Sequence, residues 1–265
     1  MSTQNTDTSA YKLIAVKYID AIALVTLTRP KKRNAINLDL VAELNHCFGT
    51  MPESVKAIIL HGEGEAFCAG LDLSEAREQT VPQAVMHSRA WHEAFEKIQF
   101  GRAPVIAVLH GAVVGGGLEL ASSAHIRVAE TSAFYALPEG KRGLYVGGGG
   151  SVRISRLIGV NRMSDLMLTG RVLNAEEGQQ LGISTYLTEP GEGLKKAMEL
   201  AHGIATNAEM TNYGVMHMLP RIADQSIQDG LATESLMAAV AQTDPATQRL
   251  LAEFLDQKKN KVQRS

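Results

Sequence analysis

Two glutamates close to glycine runs are the residues of this chain best suited to acid–base chemistry. Glu119 follows the turn Gly115-Gly116-Gly117 in an apolar stretch, and Glu139 lies 20 residues later, ahead of the glycine run 147–150. Burying a carboxylate among apolar residues is costly unless it has a partner or a chemical role. The pair therefore predicts acid–base catalysis. Ordinary roles remain open for each residue alone: a helix-dipole partner for Glu119, and a surface turn residue for Glu139.

The glycine turn 115–117 predicts a backbone anion site. Glycines let N–H groups face a ligand without obstruction, and the helix expected to follow adds partial positive charge at its N-terminus. Such amides stabilise an oxyanion that develops during a reaction. Gly70 permits an unusual backbone angle that aims the Leu71 amide into a site. Tight strand–helix packing is the alternative for the turn; a nucleotide site is not favoured, because no clean G-x-G-x-x-G or G-x-x-x-x-G-K-[ST] motif occurs.

The elements expected to position these residues alternate between strands and helices, which predicts an α/β fold with a largely parallel sheet. Strands are predicted over 13–18, 21–28, 56–60, 105–109, 126–129, 133–136 and 183–188. Helices are predicted over 38–51, 82–100, 152–157, 161–168, 194–206 and 231–258, and Asn37 is expected to cap the first of them. We expect a flexible N-terminus over 1–10, a core over 11–200 and a helical segment over 201–265 that packs on the core or on a neighbouring subunit.

Composition narrows the classes of function. The chain has 265 residues and a formal net charge of −2, so neither nucleic acid nor an anionic membrane is an expected partner. Cys47 and Cys68 have no metal-type spacing, and so few cysteines fit buried free thiols in a reducing compartment. The polar N-terminus is unlike a signal peptide, and no apolar run approaches the roughly 20 residues needed to span a bilayer. We expect a cytoplasmic protein.

Five sequence blocks, in order, resemble the enoyl-CoA hydratase (crotonase) superfamily over residues 12 to 260. The blocks are Arg29-Pro30-Lys31-Lys32-Arg33-Asn34-Ala35, Ala66-Phe67-Cys68-Ala69-Gly70-Leu71-Asp72-Leu73, Gly115-Gly116-Gly117-Leu118-Glu119-Leu120-Ala121, Leu137-Pro138-Glu139 with Gly143 and 147–150, and Glu253-Phe254-Leu255-Asp256-Gln257-Lys258-Lys259. The resemblance implies a crotonase-like fold of stacked ββα units with a C-terminal helical region. It also implies an acyl-CoA thioester as substrate, no metal, and no cofactor, since coenzyme A is part of the substrate.

The resemblance assigns roles at the reacting carbons. The amides of Leu71 and Gly116 form an oxyanion hole for the thioester oxygen. Glu119 and Glu139 hold one water, with Gly147 helping to position it, and add it across the α,β double bond of an enoyl-CoA. Which glutamate is acid and which is base stays open, because coupled carboxylates titrate as a pair.

The resemblance also assigns residues to the two ends of the substrate. Residues expected to bind CoA are Lys31, Arg33, Ala35, Ala69, Asp72, Phe254 and Lys258. Residues expected to line the acyl pocket are Met86, Trp91, Tyr145 and Val146. The family commonly forms trimers or dimers of trimers, so we expect a homo-oligomer.

The second glutamate block departs from the common hydratase pattern. Gly140 stands where a branched residue is usual, Val146 stands where proline is usual, and Arg142 adds a charge near Glu139. If Arg142 points inward it favours the ionised carboxylate; a solvated surface position is the alternative. The block is similar to that of methylthioacryloyl-CoA hydratases, which leaves that substrate, with accompanying hydrolysis, as an alternative. An isomerase or hydrolase of the same superfamily and a non-catalytic acyl-CoA-binding protein are the others.

Overall fold

The computed structural model describes residues 5–7, 11–75 and 78–262, with side chains described within 11–74 and 78–256. The chain divides into two compact units, Met1–Ala205 and Thr206–Ser265. The division lies a few residues beyond the boundary expected at 200. Within the N-terminal segment 1–10, Asn5–Asp7 form strand β1; the other residues of that segment lie outside the described residues, and its flexibility stays a prediction.

The first unit contains a seven-stranded sheet in the order β1-β2-β3-β4-β5-β7-β10 and a three-stranded sheet in the order β6-β8-β9. The large sheet is antiparallel across its first three strands and parallel from β3 onward. Beyond β1, the strands are β2 Ile14–Ile19, β3 Ile22–Leu27, β4 Ala57–Gly62, β5 Val105–Leu109, β6 Ala112–Val114, β7 Ile126–Glu130, β8 Phe134–Ala136, β9 Val172–Asn174 and β10 Tyr186–Thr188.

Helices cover both faces of the large sheet. The helices of the first unit are α1 Leu38–Gly49, α2 Val81–Gln99, α3 Gly116–Ser123, α4 Gly150–Ile158, α5 Val160–Thr169, α6 Ala175–Leu181 and α7 Gly193–Ala205. Because side chains alternate along a strand, Ile58 and Leu60 of β4 join the main core with α1 and α2, whereas Ile59 packs against α7. The predicted α/β fold with a largely parallel sheet is confirmed.

Local sequence explains where helix α1 begins. Asn37 has an extended backbone, and its side-chain oxygen accepts a hydrogen bond from the Leu40 amide at 3.0 Å. This is the expected N-cap geometry, which satisfies one amide that has no partner within the helix. The apolar face of the helix, including Leu44 and Phe48, is buried.

The second unit is helical, with α8 Glu209–Tyr213, α9 Leu219–Ala223, α10 Ile227–Thr243 and α11 Pro245–Val262. The single helix predicted over 231–258 is therefore wrong. Asp244 has an extended backbone because the residue before a proline disfavours the helical conformation, and Pro245 cannot donate a backbone hydrogen bond. The Asp244 carboxylate instead accepts from the amides of Ala246 and Thr247, which starts a new helix.

Short elements account for the other differences. The strand predicted over 183–188 is reduced to β10, while β6, β9 and α6 were not predicted. Helix α6 begins with a capping box in which the Asn174 side chain accepts from the Glu177 amide and Glu177 accepts from the Asn174 amide. In the described part of the chain, no helix combines the length and apolar character needed to cross a membrane.

Candidate active site

The segment 105–123 places Glu119 in the interior of the first unit. Strands β5 and β6 lead to Gly115, which has φ of +54° and opens helix α3. Glu119 lies in the first turn of this helix and is only 3% exposed. Its Oε1 accepts hydrogen bonds from the amides of Gly148, at 2.7 Å, and Gly150, at 2.9 Å. Two amides from the second glycine run therefore fix one oxygen of the first glutamate.

The electrostatic surroundings of Glu119 act in opposite directions. Burial raises the pKa of the carboxyl group, because the ionised form loses solvation. The amides of Gly150, Gly148 and Gly147 oppose this rise in pKa, and the positive charge of Arg153 does so more weakly. On balance the pKa of Glu119 lies above its ordinary value, which favours proton transfer nearer neutral pH.

Glu139 lies in a short 3-10 helix, Pro138–Arg142, that follows strand β8. Its Oε2 is buried and has no hydrogen-bond partner among the described residues. Burial raises the pKa of Glu139, the neighbouring Glu119 carboxyl group raises it further, and Arg142 lowers it. Arg142 thus acts on the carboxyl group as expected for an inward-facing charge. The mutual effect of the two glutamates on pKa shows that they are close enough to couple.

The amides of Leu71 and Gly116 lie side by side. Ile36 donates to the Gly70 carbonyl and accepts from the Asp72 amide, so the Leu71 amide between them faces away from Ile36. Its nitrogen lies 3.5 Å from the position that a β-carbon on Gly116 would occupy. The Gly116 amide belongs to the first turn of a helix, where amides have no acceptor within the helix. Two donors are therefore available to one ligand oxygen.

A cavity of about 260 Å³ brings these groups together. Both glutamates, both amide-bearing residues and Gly147 line it. Trp91 forms part of its wall: a β-carbon on Gly116 would stand 2.7 Å from the Trp91 ring, so only glycine fits there. The convergence of the two sequence blocks on one cavity could not be derived from spacing alone.

The residues predicted for the acyl pocket separate into three groups. Trp91 and Tyr145 line the cavity, and Tyr145 is 71% exposed. Met86, 67% exposed, lines a neighbouring cleft instead, because its position on α2 points it away from the glutamates. Val146 is 6% exposed and packs into the main hydrophobic core rather than lining the cavity. The predicted pocket role is therefore wrong for Val146 and displaced for Met86.

A second cleft, of about 340 Å³, adjoins the cavity and is basic. The predicted CoA-binding residues of the first unit line it, namely Lys31, Arg33, Ala35, Ala69 and Asp72. Arg142 lines both the cleft and the cavity, which makes the two continuous at this side chain. A ligand with phosphates in the cleft and a reactive group in the cavity matches this distribution of charge.

The Asp72 carboxylate is already held by protein partners. It lies 2.8 Å from the Arg29 guanidinium and accepts from the Ser74 hydroxyl at 2.6 Å. Hydrogen bonding from Ser74, together with Arg29, lowers its pKa to about 2. Asp72 thus braces the loop that carries Leu71, and the sequence-based prediction that it binds CoA does not describe the role of its carboxylate.

The remaining predicted CoA-binding residues belong to the second unit. Phe254 is about half exposed on α11. Lys258 falls in the same helix, but its side chain lies outside the described residues. Their proposed role stays a prediction.

Sequence reasoning missed Ser88 and Arg153, which contact the second glycine run from two helices. Ser88 Oγ on α2 donates to the Gly147 carbonyl at 2.6 Å. Arg153 on α4 donates to the Gly148 carbonyl at 3.2 Å and to the side chain of Gln99 at 2.6 Å. No motif or spacing marks either residue. In the described ranges, no cluster of three His, Cys, Asp or Glu side chains suited to a metal is found.

Comparison with known proteins decides the family. The model of the enoyl-CoA hydratase/isomerase family matches residues 18–264, nearly the whole chain. The chain belongs to the enoyl-CoA hydratase/isomerase family. The resemblance to the crotonase superfamily predicted from the sequence is confirmed.

Individual members of the family are similar over most of their length. The short-chain-enoyl-CoA hydratase of Clostridium acetobutylicum is 34% identical over 217 residues, which cover 81% of this chain and 83% of that protein. The crystal structure of a candidate enoyl-CoA hydratase from Rhodopseudomonas palustris CGA009 is 53% identical with a TM-score of 0.92, covering 94% and 96% of the two chains. An enoyl-CoA hydratase from Bacillus anthracis is 28% identical with a TM-score of 0.87, covering 93% and 97%. The crotonase-like fold is thereby confirmed.

Proposed function

We propose that this protein is an enoyl-CoA hydratase, which adds water across the α,β double bond of an enoyl-CoA thioester. One observation carries the proposal: Glu119 and Glu139 line the same cavity as the adjacent Leu71 and Gly116 amides. A carboxylate pair near two converging amides is what hydration of a conjugated thioester requires.

The amides would stabilise the negative charge that develops on the thioester oxygen. Attack of water at Cβ pushes the double-bond electrons onto that oxygen and forms an enolate. Two donors aimed at it in a buried site act more strongly than in water, and removal of one such donor typically costs about 10²–10³-fold in rate. The first-turn position of Gly116 adds the partial positive charge of helix α3.

The two glutamates would then move the protons of one water. One carboxylate accepts a proton as the water oxygen bonds to Cβ, and the other, protonated, delivers a proton to Cα. The sum of these steps is one water added, with no change in oxidation state, so coenzyme A in the substrate is the only cofactor chemistry required. The unpartnered Oε2 of Glu139 is suited to hold the water, while Glu119 is fixed by amides.

The substrate would lie with its CoA phosphates in the basic cleft and its thioester at the amides. Lys31, Arg33 and Arg142 supply positive charge on the cleft side. Trp91 and Tyr145 then face the acyl group on the other side of the cavity. This orientation places Cα and Cβ against the glutamates.

The test is the rate of crotonyl-CoA consumption by the wild type and by the variants Glu119→Gln and Glu139→Gln. Each substitution keeps the shape but removes one titratable group, so we expect kcat to fall about 10²–10⁴-fold. Glu199→Gln, on an exposed helix surface, is the matched control and should keep full activity. Equal rates in the wild type and both cavity variants would reject the proposal.

A further inference from the structure

The peptide unit between Gly147 and Gly148 connects two side chains that do not touch. Its carbonyl, on Gly147, accepts a hydrogen bond from Ser88 Oγ at 2.6 Å. Its N–H, on Gly148, donates to Oε1 of Glu119 at 2.7 Å. The carbonyl and N–H of a trans peptide point in opposite directions. Ser88 and Glu119 therefore hold this peptide from opposite sides.

Such a chain of hydrogen bonds is cooperative. A donor on the carbonyl polarises the peptide and makes its N–H a stronger donor, and the effect is larger in a buried site than in water. Here the N–H ends on a carboxylate that is almost fully buried. The Ser88 hydroxyl therefore favours the ionised form of Glu119 without contacting it.

The glycine run needs such a restraint. Gly149, the next residue, has φ of +95°, and glycine loses more conformational freedom on ordering than other residues. Ser88 restrains the run from α2, and Arg153 restrains the Gly148 carbonyl from α4. Only the Ser88 bond acts on the same peptide unit whose N–H binds Glu119.

The geometry points to Ser88 as a positioning residue, which holds and polarises the Gly147–Gly148 peptide so that its N–H fixes the Glu119 carboxylate. This role deepens the proposed hydratase function and rests on it for its catalytic consequence. The groups facing Glu119 are the Glu139 carboxyl group and the Arg153 guanidinium. Ser88 itself faces His92, whose Nε2 lies 3.4 Å from the hydroxyl.

The kinetic test compares three substitutions of Ser88. Ser88→Ala removes the hydroxyl, Ser88→Cys keeps the shape with a weak donor, and Ser88→Thr keeps the hydroxyl. We expect the first two to lower kcat on crotonyl-CoA about three- to tenfold, the loss of one hydrogen bond, with KM nearly unchanged. Ser88→Thr should restore most of kcat. Ser164→Ala, which removes an exposed hydroxyl–carbonyl bond on α5, is the matched control and should behave as the wild type.

The pH dependence separates a positioning role from a purely structural or substrate-binding one. Loss of the hydroxyl weakens the donor to ionised Glu119, so the limb of the kcat profile governed by Glu119 should move to higher pH in Ser88→Ala. A raised KM with an unchanged profile would make Ser88 a substrate contact and overturn the proposal. Lower thermal stability with unchanged kcat and profile would reduce Ser88 to a packing residue and also overturn it.

A titration without substrate separates this inference from the proposed function. Carbon-13 NMR of labelled glutamate carboxyl groups, with Glu119 assigned by its loss in Glu119→Gln, follows the titration of Glu119 directly. We expect the Glu119 transition to move to higher pH in Ser88→Ala and not in Ser164→Ala. An unchanged transition, with the wild type active, sinks only the Ser88 role; a shifted transition in a protein that hydrates no enoyl-CoA sinks only the proposed function.

Discussion

Gly150 contacts Glu119 in two ways. The Gly150 amide donates to Oε1 of Glu119 at 2.9 Å, and a β-carbon on Gly150 would stand 2.8 Å from Cγ of the same glutamate. The hydrogen bond requires the backbone to come this close, and the close approach leaves no space for a side chain. The second glycine run is therefore matched to the first glutamate by both charge and shape.

Substitution of this glycine should damage the site more than the fold. We expect Gly150→Ala to displace the Glu119 side chain and lower kcat at least tenfold, with a stability loss of about 1–3 kcal/mol from overpacking. The measurements are kcat on crotonyl-CoA and the free energy of unfolding in urea. Gly203→Ala, on α7 with no atom within 4 Å of the new β-carbon, is the control. It should keep full activity and gain roughly 0.5–1 kcal/mol, because alanine favours a helix over glycine.

The raised pKa of the two glutamates should lower stability as pH rises. The folded protein binds protons more tightly than the unfolded chain at these groups, so the wild type loses stability as pH rises from the ordinary value of 4.5 through the folded pKa. Glu139→Gln cannot ionise and should escape its share of this loss. Its free energy of unfolding relative to the wild type should therefore increase from pH 4.5 to pH 8. A constant difference across this range would show that Glu139 titrates as an exposed carboxyl group.

Arg142 should influence the pH dependence of the reaction. Its positive charge lowers the pKa of Glu139, so removal of the charge lets that pKa rise. We expect Arg142→Gln to move the limb of the pH–rate profile governed by Glu139 to higher pH. Arg162→Gln, on α5, serves as the control because Arg162 lines neither the cavity nor the basic cleft. A profile identical to that of the wild type would place Arg142 outside the reach of the carboxyl group.

The basic cleft should contribute to substrate binding rather than to the chemical step. Lys31→Gln should raise KM for crotonyl-CoA about three- to tenfold with kcat nearly unchanged, the range expected for a charged hydrogen bond. The effect should shrink as salt is added, since exposed charges are screened. Lys195→Gln, an exposed charge outside the cleft, is the control. An unaltered KM at low salt would remove Lys31 from the binding surface.

Residues with local signals were predicted correctly, and residues positioned by tertiary packing were not. The Asn37 cap and the strand–helix alternation depend on neighbours in sequence, so they could be predicted. Val146 was assigned to the acyl pocket because of its place in a motif, but the side chain turns into the core. The break at Pro245 was missed although proline predicts it, because the apolar pattern on both sides was interpreted as one helix.

The site shows the same division. The glycine runs and the two glutamates carry recognisable patterns. The cavity that both glutamates line depends on β6 and β8 pairing in a small second sheet, which local patterns did not predict. Ser88 could not have been found, because its contact with Gly147 joins residues 59 positions apart without a motif.

The most direct test of the central claim is to follow crotonyl-CoA in isotopically labelled water by mass spectrometry. We predict that the wild type forms a β-hydroxyacyl-CoA with the thioester intact and one labelled oxygen at Cβ, and that Glu119→Gln and Glu139→Gln form it at least a hundredfold more slowly. Free coenzyme A, a shifted double bond, or a hydration rate that does not depend on either glutamate would contradict the account.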